Sequence, residues 1–148
     1  MSNPYVPQAL RRLVATRAEG LCEYCLISEE DCGYGCEVDH VISRKHGGLT
    51  VESNLAFACL YCNLFKGSDV GTRAPNTKRL IRLYNPRSDR WSRHFQLVHD
   101  GFAIVPLTQI GEGTARILGF NSKLRLEERR ELRRRGKYPS IEAMARMI

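Results

Sequence analysis

The chain carries two Cys-x-x-Cys pairs, Cys22-Glu-Tyr-Cys25 and Cys59-Leu-Tyr-Cys62, with 33 residues between them. Each pair sits on a tight turn that points two thiols at one point, and two such turns together suit a tetrahedral Zn2+ site. A sphere closed by four thiolates has no position left for water, so the expected zinc is structural. In a short module, its binding energy becomes folding energy. The competing reading is a dithiol redox centre, but that needs only one pair, usually opening a helix in a βαβ setting. Cys32 and Cys36 lie between the pairs and read as spare loop thiols, a second partial metal site, or replacements for one pair.

The compartment matters to this argument. No apolar run approaches the ~20 residues needed to cross a bilayer, and Met1-Ser-Asn-Pro-Tyr-Val-Pro shows neither a basic n-region nor an apolar h-region. The expectation is a cytoplasmic chain with no membrane partner, where paired cysteines serve metal or redox chemistry rather than disulfides. The 148 residues carry a net charge of +7, unevenly spread. Residues 1–69 hold 6 Lys/Arg against 9 Asp/Glu, and residues 70–148 hold 17 against 7. That asymmetry fits either a basic surface for a polyanion beside a metal-binding part, or a solubilising charged surface.

Hydrophobic spacing predicts a helix over residues 6–19, with Val6, Leu10, Leu13, Val14 and Ala18 on one side and Gly20 as its stop. Residues 37–42 and 55–58 read as strands, joined by a loop centred on Gly47-Gly48, and a helix starts at Leu60. Beyond residue 70 the pattern predicts a helix over 77–84 and a hairpin of 94–98 with 102–107 through Asp100-Gly101. Helices are then expected over 113–120 and 123–135, with a short one over 140–148 capped by Ser140. Trp91, Phe95 and Phe102 read as hairpin core. The expected class is α+β, with residues 1–69 a helix plus a zinc-stabilised module and 70–148 a basic extension packed on it.

Between the cysteine pairs lies a second pattern. Asp39-His40 ends a strand, 13 residues separate His40 from Asn54, and 8 separate Asn54 from Asn63. Cys22-Glu-Tyr-Cys25, Val38-Asp39-His40-Val41-Ile42, Gly47-Gly48, Ser53-Asn54-Leu55, Cys59-Leu-Tyr-Cys62-Asn63 and Lys66-Gly67 together resemble the HNH endonucleases over residues 22–67. The resemblance implies a ββα-metal fold around one catalytic cation, acting on DNA and leaving 5′-phosphate and 3′-hydroxyl ends. It implies Asp39 as the first metal-binding residue, His40 as general base, Asn54 as the brace of the loop, and Asn63 as a further cation ligand. Asn63 stands where the last His of the family often does. A carboxylate with an amide oxygen suits Mg2+ or Mn2+ rather than softer ions. Lys66 reads as a phosphate contact or as a solvated helix-end lysine.

The chemistry also follows from the residues themselves. Phosphodiester hydrolysis needs an activated water, neutralised phosphate charge and help for the leaving oxygen. A neutral imidazole with an ordinary pKa of ~6.5 can take the water's proton. Successive strand residues face opposite ways, so Asp39 and His40 can reach different partners.

In the basic half, Arg129, Arg130, Arg133 and Arg134 outnumber nearby acids and are candidates to grip a phosphate backbone, salt-sensitively and without reading sequence. The alternative is a solvated helix packed on the module by Leu124, Leu126 and Leu132. His46, His94 and His99 have no comparable setting. The expected function is a duplex-DNA endonuclease whose sequence preference is weak or comes from a recruiting partner. One site per chain cuts both strands as a homodimer or by two nicks. The rivals are a non-catalytic zinc-stabilised DNA-binding module, a nuclease for RNA or structured junctions, and a thiol redox protein.

Overall fold

The computed structural model describes residues 5–98 and 100–148, so His99 and the first four residues lie outside the described residues. Pro7, with no N–H to give and φ fixed at −55°, stands at the entrance of α1 (Gln8–Arg17), two residues later than the spacing predicts. Val6, Val14 and Ala18 are buried against Leu55 and Phe57, with Leu10 packed beside them. Leu13 stays 38% exposed, because it lies about 80° round the helix from the middle of that stripe. Glu19 and Gly20 both take positive φ, 55° and 71°, and end the helix at the expected stop.

The next elements form the ββα unit. β1 (Cys36–His40) pairs antiparallel with β2 (Leu55–Cys59), placing Asp39 opposite Ala56, His40 opposite Leu55 and Cys36 opposite Cys59. β2 reads Leu-Ala-Phe-Ala-Cys without alternation because both its faces are covered. Leu55 and Phe57 pack on the α1 side, while Ala56 and Ala58 join the main core with the first cysteine turn. α2 (Leu60–Lys66) begins on the residue after β2 and contacts both strands.

Residues 77–84 are not helical. β3 (Gly71–Arg73) pairs antiparallel with β4 (Leu80–Arg82), Thr72 opposite Ile81. Leu80, Ile81, Leu83 and Tyr84 fit helical spacing on paper. Asn76 at φ 57° and the bond from Ala74 N–H to Arg79 O at 2.9 Å turn the chain back instead. Leu80 is left 83% exposed, so no apolar helical face forms.

The predicted hairpin is present but shorter, as β5 (Phe95–Leu97) paired with β6 (Ile104–Pro106), and His94 instead closes a short helix α3 (Trp91–His94). α4 (Gln109–Ile117) begins earlier than expected because Thr108 caps it, accepting from Gly111 N–H at 3.0 Å. Gly111 is buried inside this helix, since a Cβ there would collide with the His94 carbonyl oxygen. α5 (Lys123–Arg134) and α6 (Ile141–Arg146) follow, capped by Ser122 and Ser140.

The buried face of α5 corrects the expectation. It consists of Arg125, Arg129 and Leu132, whereas Leu124 is 54% exposed and Leu126 only half-buried. The surface beneath the helix offers hydrogen-bond acceptors, which arginines satisfy and leucines cannot.

The main core gathers Tyr84, Trp91, Phe95, Ile104, Leu118 and Phe120 with Tyr24 and the cysteine turn. Phe95 meets Tyr84 and Phe120 edge-on at 5.3 and 5.4 Å. Phe102 is only half-buried and lies under the Arg130 guanidinium at 5.0 Å, so it is not the core residue expected. Trp91 Nε1–H donates to Tyr24 O at 2.8 Å and Tyr138 Oη–H to Cys25 O at 2.9 Å, which ties the C-terminal half to the first cysteine turn. Among the described residues, no helix is long and apolar enough to cross a membrane.

One ion pair sets a pH dependence. Arg82 donates twice to Asp89, at 2.6 and 2.8 Å, and Asn85 N–H adds a third bond at 2.8 Å. The Arg82 bonds, aided by Asn85 and opposed by burial, hold the Asp89 carboxyl below its ordinary 3.8. A pKa depressed by folding gives stability that is present above the unfolded value and lost as pH falls through the folded one. Asp89→Asn is therefore expected to lower the urea midpoint at neutral pH, with the deficit shrinking as pH falls below the ordinary carboxylate range and through the folded value. Urea melts of both proteins across the acid range check this, and a deficit that does not change with pH contradicts it.

Candidate active site and metal centre

The first cysteine pair sits on a turn closed by Cys22 N–H to Ile27 O and Leu26 N–H to Cys22 O, both 2.9 Å, with Leu26 in the left-handed region at φ 65°. Cys59 ends β2 and Cys62 lies in the first turn of α2. Although the pairs are far apart in sequence, all four Sγ atoms lie within 4.8 Å of one another and all four residues are buried. The Cys25 and Cys59 sulfurs stand 3.8 Å apart. Four thiolates around one zinc with bonds near 2.3 Å have tetrahedral edges of about 3.8 Å, so the residues fit that ion. Burial pushes the Cys22 and Cys62 thiols above their ordinary range, whereas hydrogen bonds from neighbouring cysteines hold Cys25 and Cys59 below it. The convergence of both pairs disfavours a lone redox dithiol. Cys32 and Cys36 are half-buried and stay outside this group, although Cys36 is the cross-strand partner of Cys59.

Asp39 and His40 emerge at the end of β1, both buried. Tyr24 Oη–H donates to Asp39 Oδ2 at 2.8 Å. The Lys66 ammonium lies 3.3 and 3.2 Å from the two Asp39 oxygens and donates to the His40 carbonyl at 3.1 Å. Burial raises the Asp39 pKa, against the opposing pull of Lys66 and Tyr24. A cationic group thus already sits against the carboxylate that the sequence reading assigns to a metal. It also corrects the reading of Lys66 itself, which is 1% exposed and faces the interior rather than a phosphate.

The His40 ring is fixed through Nε2, 2.9 Å from Thr50 Oγ1, and Arg44 Nη1 reaches the same hydroxyl at 3.5 Å. Burial lowers the imidazole pKa, and Arg44 and Lys66 lower it further against the raising influence of Asp39. Each of these lowering influences favours the neutral ring. Asn54 spans the loop. Its Oδ1 accepts Ile42 N–H, while Nδ2 donates to Ile42 O and Leu49 O, each at 2.9 Å. Its own carbonyl accepts Val41 N–H at 2.9 Å. Gly48 lies so close to Ile42 O that a Cβ there would overlap it, which explains the small residue in this loop. Asn63 is half-buried on α2 one turn before Lys66. Among the described residues no hydrogen bond joins it to Asp39 or His40.

The arginines divide. Arg130, Arg133 and Arg134 are exposed, although Arg134 is engaged with Glu131 at 2.6 Å. Arg129 is fully buried and donates to Phe120 O at 2.6 Å and Asn121 Oδ1 at 3.1 Å. It is therefore no surface contact for a phosphate. His46 is exposed, and His94 is buried with Nδ1 2.6 Å from Thr108 Oγ1. Sequence reasoning misses Tyr24, Arg44 and Thr50. Only Tyr24 carries a signal, its position inside a cysteine turn.

Asn54→Ala removes three side-chain hydrogen bonds of the loop and should cost ~1–3 kcal/mol. It should also raise amide exchange at Ile42 well above that at core positions such as Phe57. Hydrogen exchange read residue by residue measures this, and unchanged protection at Ile42 contradicts the bracing role.

Residues 22–69 match the family model described as HNH endonuclease. No curated protein and no solved structure matches the chain at a significant level.

Proposed function

We propose, taking residues 22–69 as an HNH endonuclease-type module, that this chain hydrolyses DNA phosphodiester bonds with His40 as general base. The observation that carries the reading is the setting of His40: beside Asp39, fixed by Thr50 through Nε2, with burial and two neighbouring cations lowering its pKa. In the tautomer whose Nε2–H donates to Thr50, Nδ1 keeps a lone pair for a water proton. Asn54 keeps the loop from drifting and so orients the ring. Asp39 and Asn63 are the residues that would hold a Mg2+ or Mn2+ ion, which supplies charge neutralisation at the phosphate and the leaving oxygen. The exposed Arg130, Arg133 and Arg134 are the candidates for contact with the DNA backbone. The cysteine cluster would hold a structural zinc.

Supercoiled plasmid incubated with the protein and Mg2+ or Mn2+ tests the proposal. Wild type is expected to nick, and His40→Ala to slow nicking by at least ~100-fold. Equal and undiminished plasmid in both arms overturns it for DNA, and labelled RNA and junction substrates in parallel catch a different nucleic-acid substrate.

The Asp39–Lys66 pair favours a second reading, a zinc-stabilised DNA-binding module without catalysis, because both carboxylate oxygens already have a cationic partner. The readings diverge on metal binding. If Asp39 serves a divalent ion, Lys66→Met removes a competitor and tightens Mn2+ binding by about tenfold or more, while Asp39→Asn abolishes it. Titration followed by electron paramagnetic resonance reads both. Failure of wild type and Lys66→Met alike to take up Mn2+ selects the non-catalytic reading.

A further inference from the structure

Arg125 is completely buried, a rare state for an arginine unless each of its donors is met. Its Nη1 lies 3.6 Å from Cys62 Sγ and its Nη2 3.6 Å from Cys59 Sγ, so the two ends of the fork address the two cysteines of one Cys-x-x-Cys turn. Nε donates to Glu128 at 3.0 Å, one turn along the same helix. The Tyr61 ring, on the turn between the two cysteines, stands 5.4 Å from the guanidinium carbon. Every nitrogen is assigned, and two of the three point at sulfurs of the four-cysteine cluster.

Resting on the structural-zinc reading of the cysteine cluster, we infer that Arg125 is the outer partner of that site, offsetting the excess negative charge of its thiolates through Cys59 and Cys62. Zn2+ with four thiolates has a net charge of −2, which is costly in a buried setting unless positive groups lie close by. Neutral thiols are weak acceptors and would not repay the desolvation of a guanidinium, so the burial of Arg125 is itself an argument for thiolates at this point. Glu128 does not cancel the effect. Its side chain is 24% exposed and screened by solvent, and it takes up Nε, leaving both Nη groups to the sulfurs. Sulfur that accepts such bonds holds its metal in a fixed geometry, as hydrogen-bonded outer partners do for other ligand types. The consequence reaches beyond the zinc turn: α5, the basic helix expected to serve DNA, contributes part of the metal site from the other half of the chain.

Arg129 provides the comparison within the same helix. It is equally buried but gives its bonds to carbonyl and amide oxygens rather than sulfur. The test loads wild type, Arg125→Met, Arg125→Lys and Arg129→Met with zinc, verifies the content by elemental analysis, and follows zinc transfer to excess chelator. Arg125→Met is expected to release zinc about 10–100-fold faster than wild type, the usual size of an outer-partner effect. Arg125→Lys should fall between them, and Arg129→Met should stay near wild type. Equal rates for Arg125→Met and Arg129→Met overturn the inference, because general loosening of α5 would then explain both. If Arg125→Met does not fold, Co2+-substituted Arg125→Lys replaces it, with a shift of the thiolate-to-metal absorption band expected and an unmoved band overturning the inference. Wild type that purifies without zinc defeats the zinc reading as well, an outcome distinct from zinc-loaded wild type with matched release rates.

Discussion

Four cysteine sulfurs gathered at one buried point are the constraint on which the rest of this fold depends. One pair precedes β1 and the other straddles the junction of β2 and α2, so their meeting fixes where the ββα unit starts and ends. Strands of five residues joined by a long loop are too short to hold together alone. The cluster and α1 cover the two faces of β2 and supply the missing support. The C-terminal half then fastens to the same point. Trp91 and Tyr138 bind carbonyls of the first cysteine turn, and Arg125 binds the sulfurs of the second. A chain that lost this convergence would lose the positions of Asp39 and His40 with it.

Buried charge is the second organising feature. Glu23, Asp39, Lys66, Arg125 and Arg129 are all nearly inaccessible, and each has an internal partner. Glu23 accepts Phe57 N–H at 3.0 Å and pairs with Arg87, which joins β2 to the segment between β4 and α3. Such pairs add little net stability compared with well-packed apolar groups, but removing one member leaves a stranded charge that costs several kcal/mol.

How much of this is legible in the sequence depends on whether the deciding partner is local. The cysteine turns, the two strands and α2 can be read because their signals lie within a few residues: paired thiols, an apolar five-residue run, a polar Asp39-His40 end. Asn54 reads as a brace, and its bonds to Ile42 and Leu49 are those of a residue closing its own loop. Residues 77–84 mislead because helical spacing says nothing about which face will find a neighbour, and the turn at Asn76 prevails. Lys66, Arg125 and Arg129 mislead for a different reason. In sequence they are basic residues near helix ends or in a charged run, which usually means solvent. Each is buried by an acceptor contributed from elsewhere in the chain: Asp39 for Lys66, Cys59 and Cys62 for Arg125, and the Phe102 and Phe120 carbonyls for Arg129. No period or propensity encodes such a partner. Thr50, which fixes His40, is hidden in the same way within a glycine-rich loop.

The charge balance around Asp39 bears directly on the proposed chemistry. Lys66 and Asp39 together are neutral, and the Tyr24 hydroxyl adds a dipole that favours the carboxylate. On the proposed reading, a divalent ion brings two positive charges into a site already balanced, beside the cations Arg44 and Lys66 that add to burial in lowering the His40 pKa. The protein alone therefore opposes the ion. A phosphodiester brings one negative charge per phosphate, and phosphate in the cleft offsets part of that excess. Metal and nucleic acid should then bind with positive coupling, each tightening the other by the same factor, as linkage requires. On the proposed reading, Asp39 stays paired with Lys66 until substrate arrives. The position of a single buried lysine would thereby restrain indiscriminate metal loading.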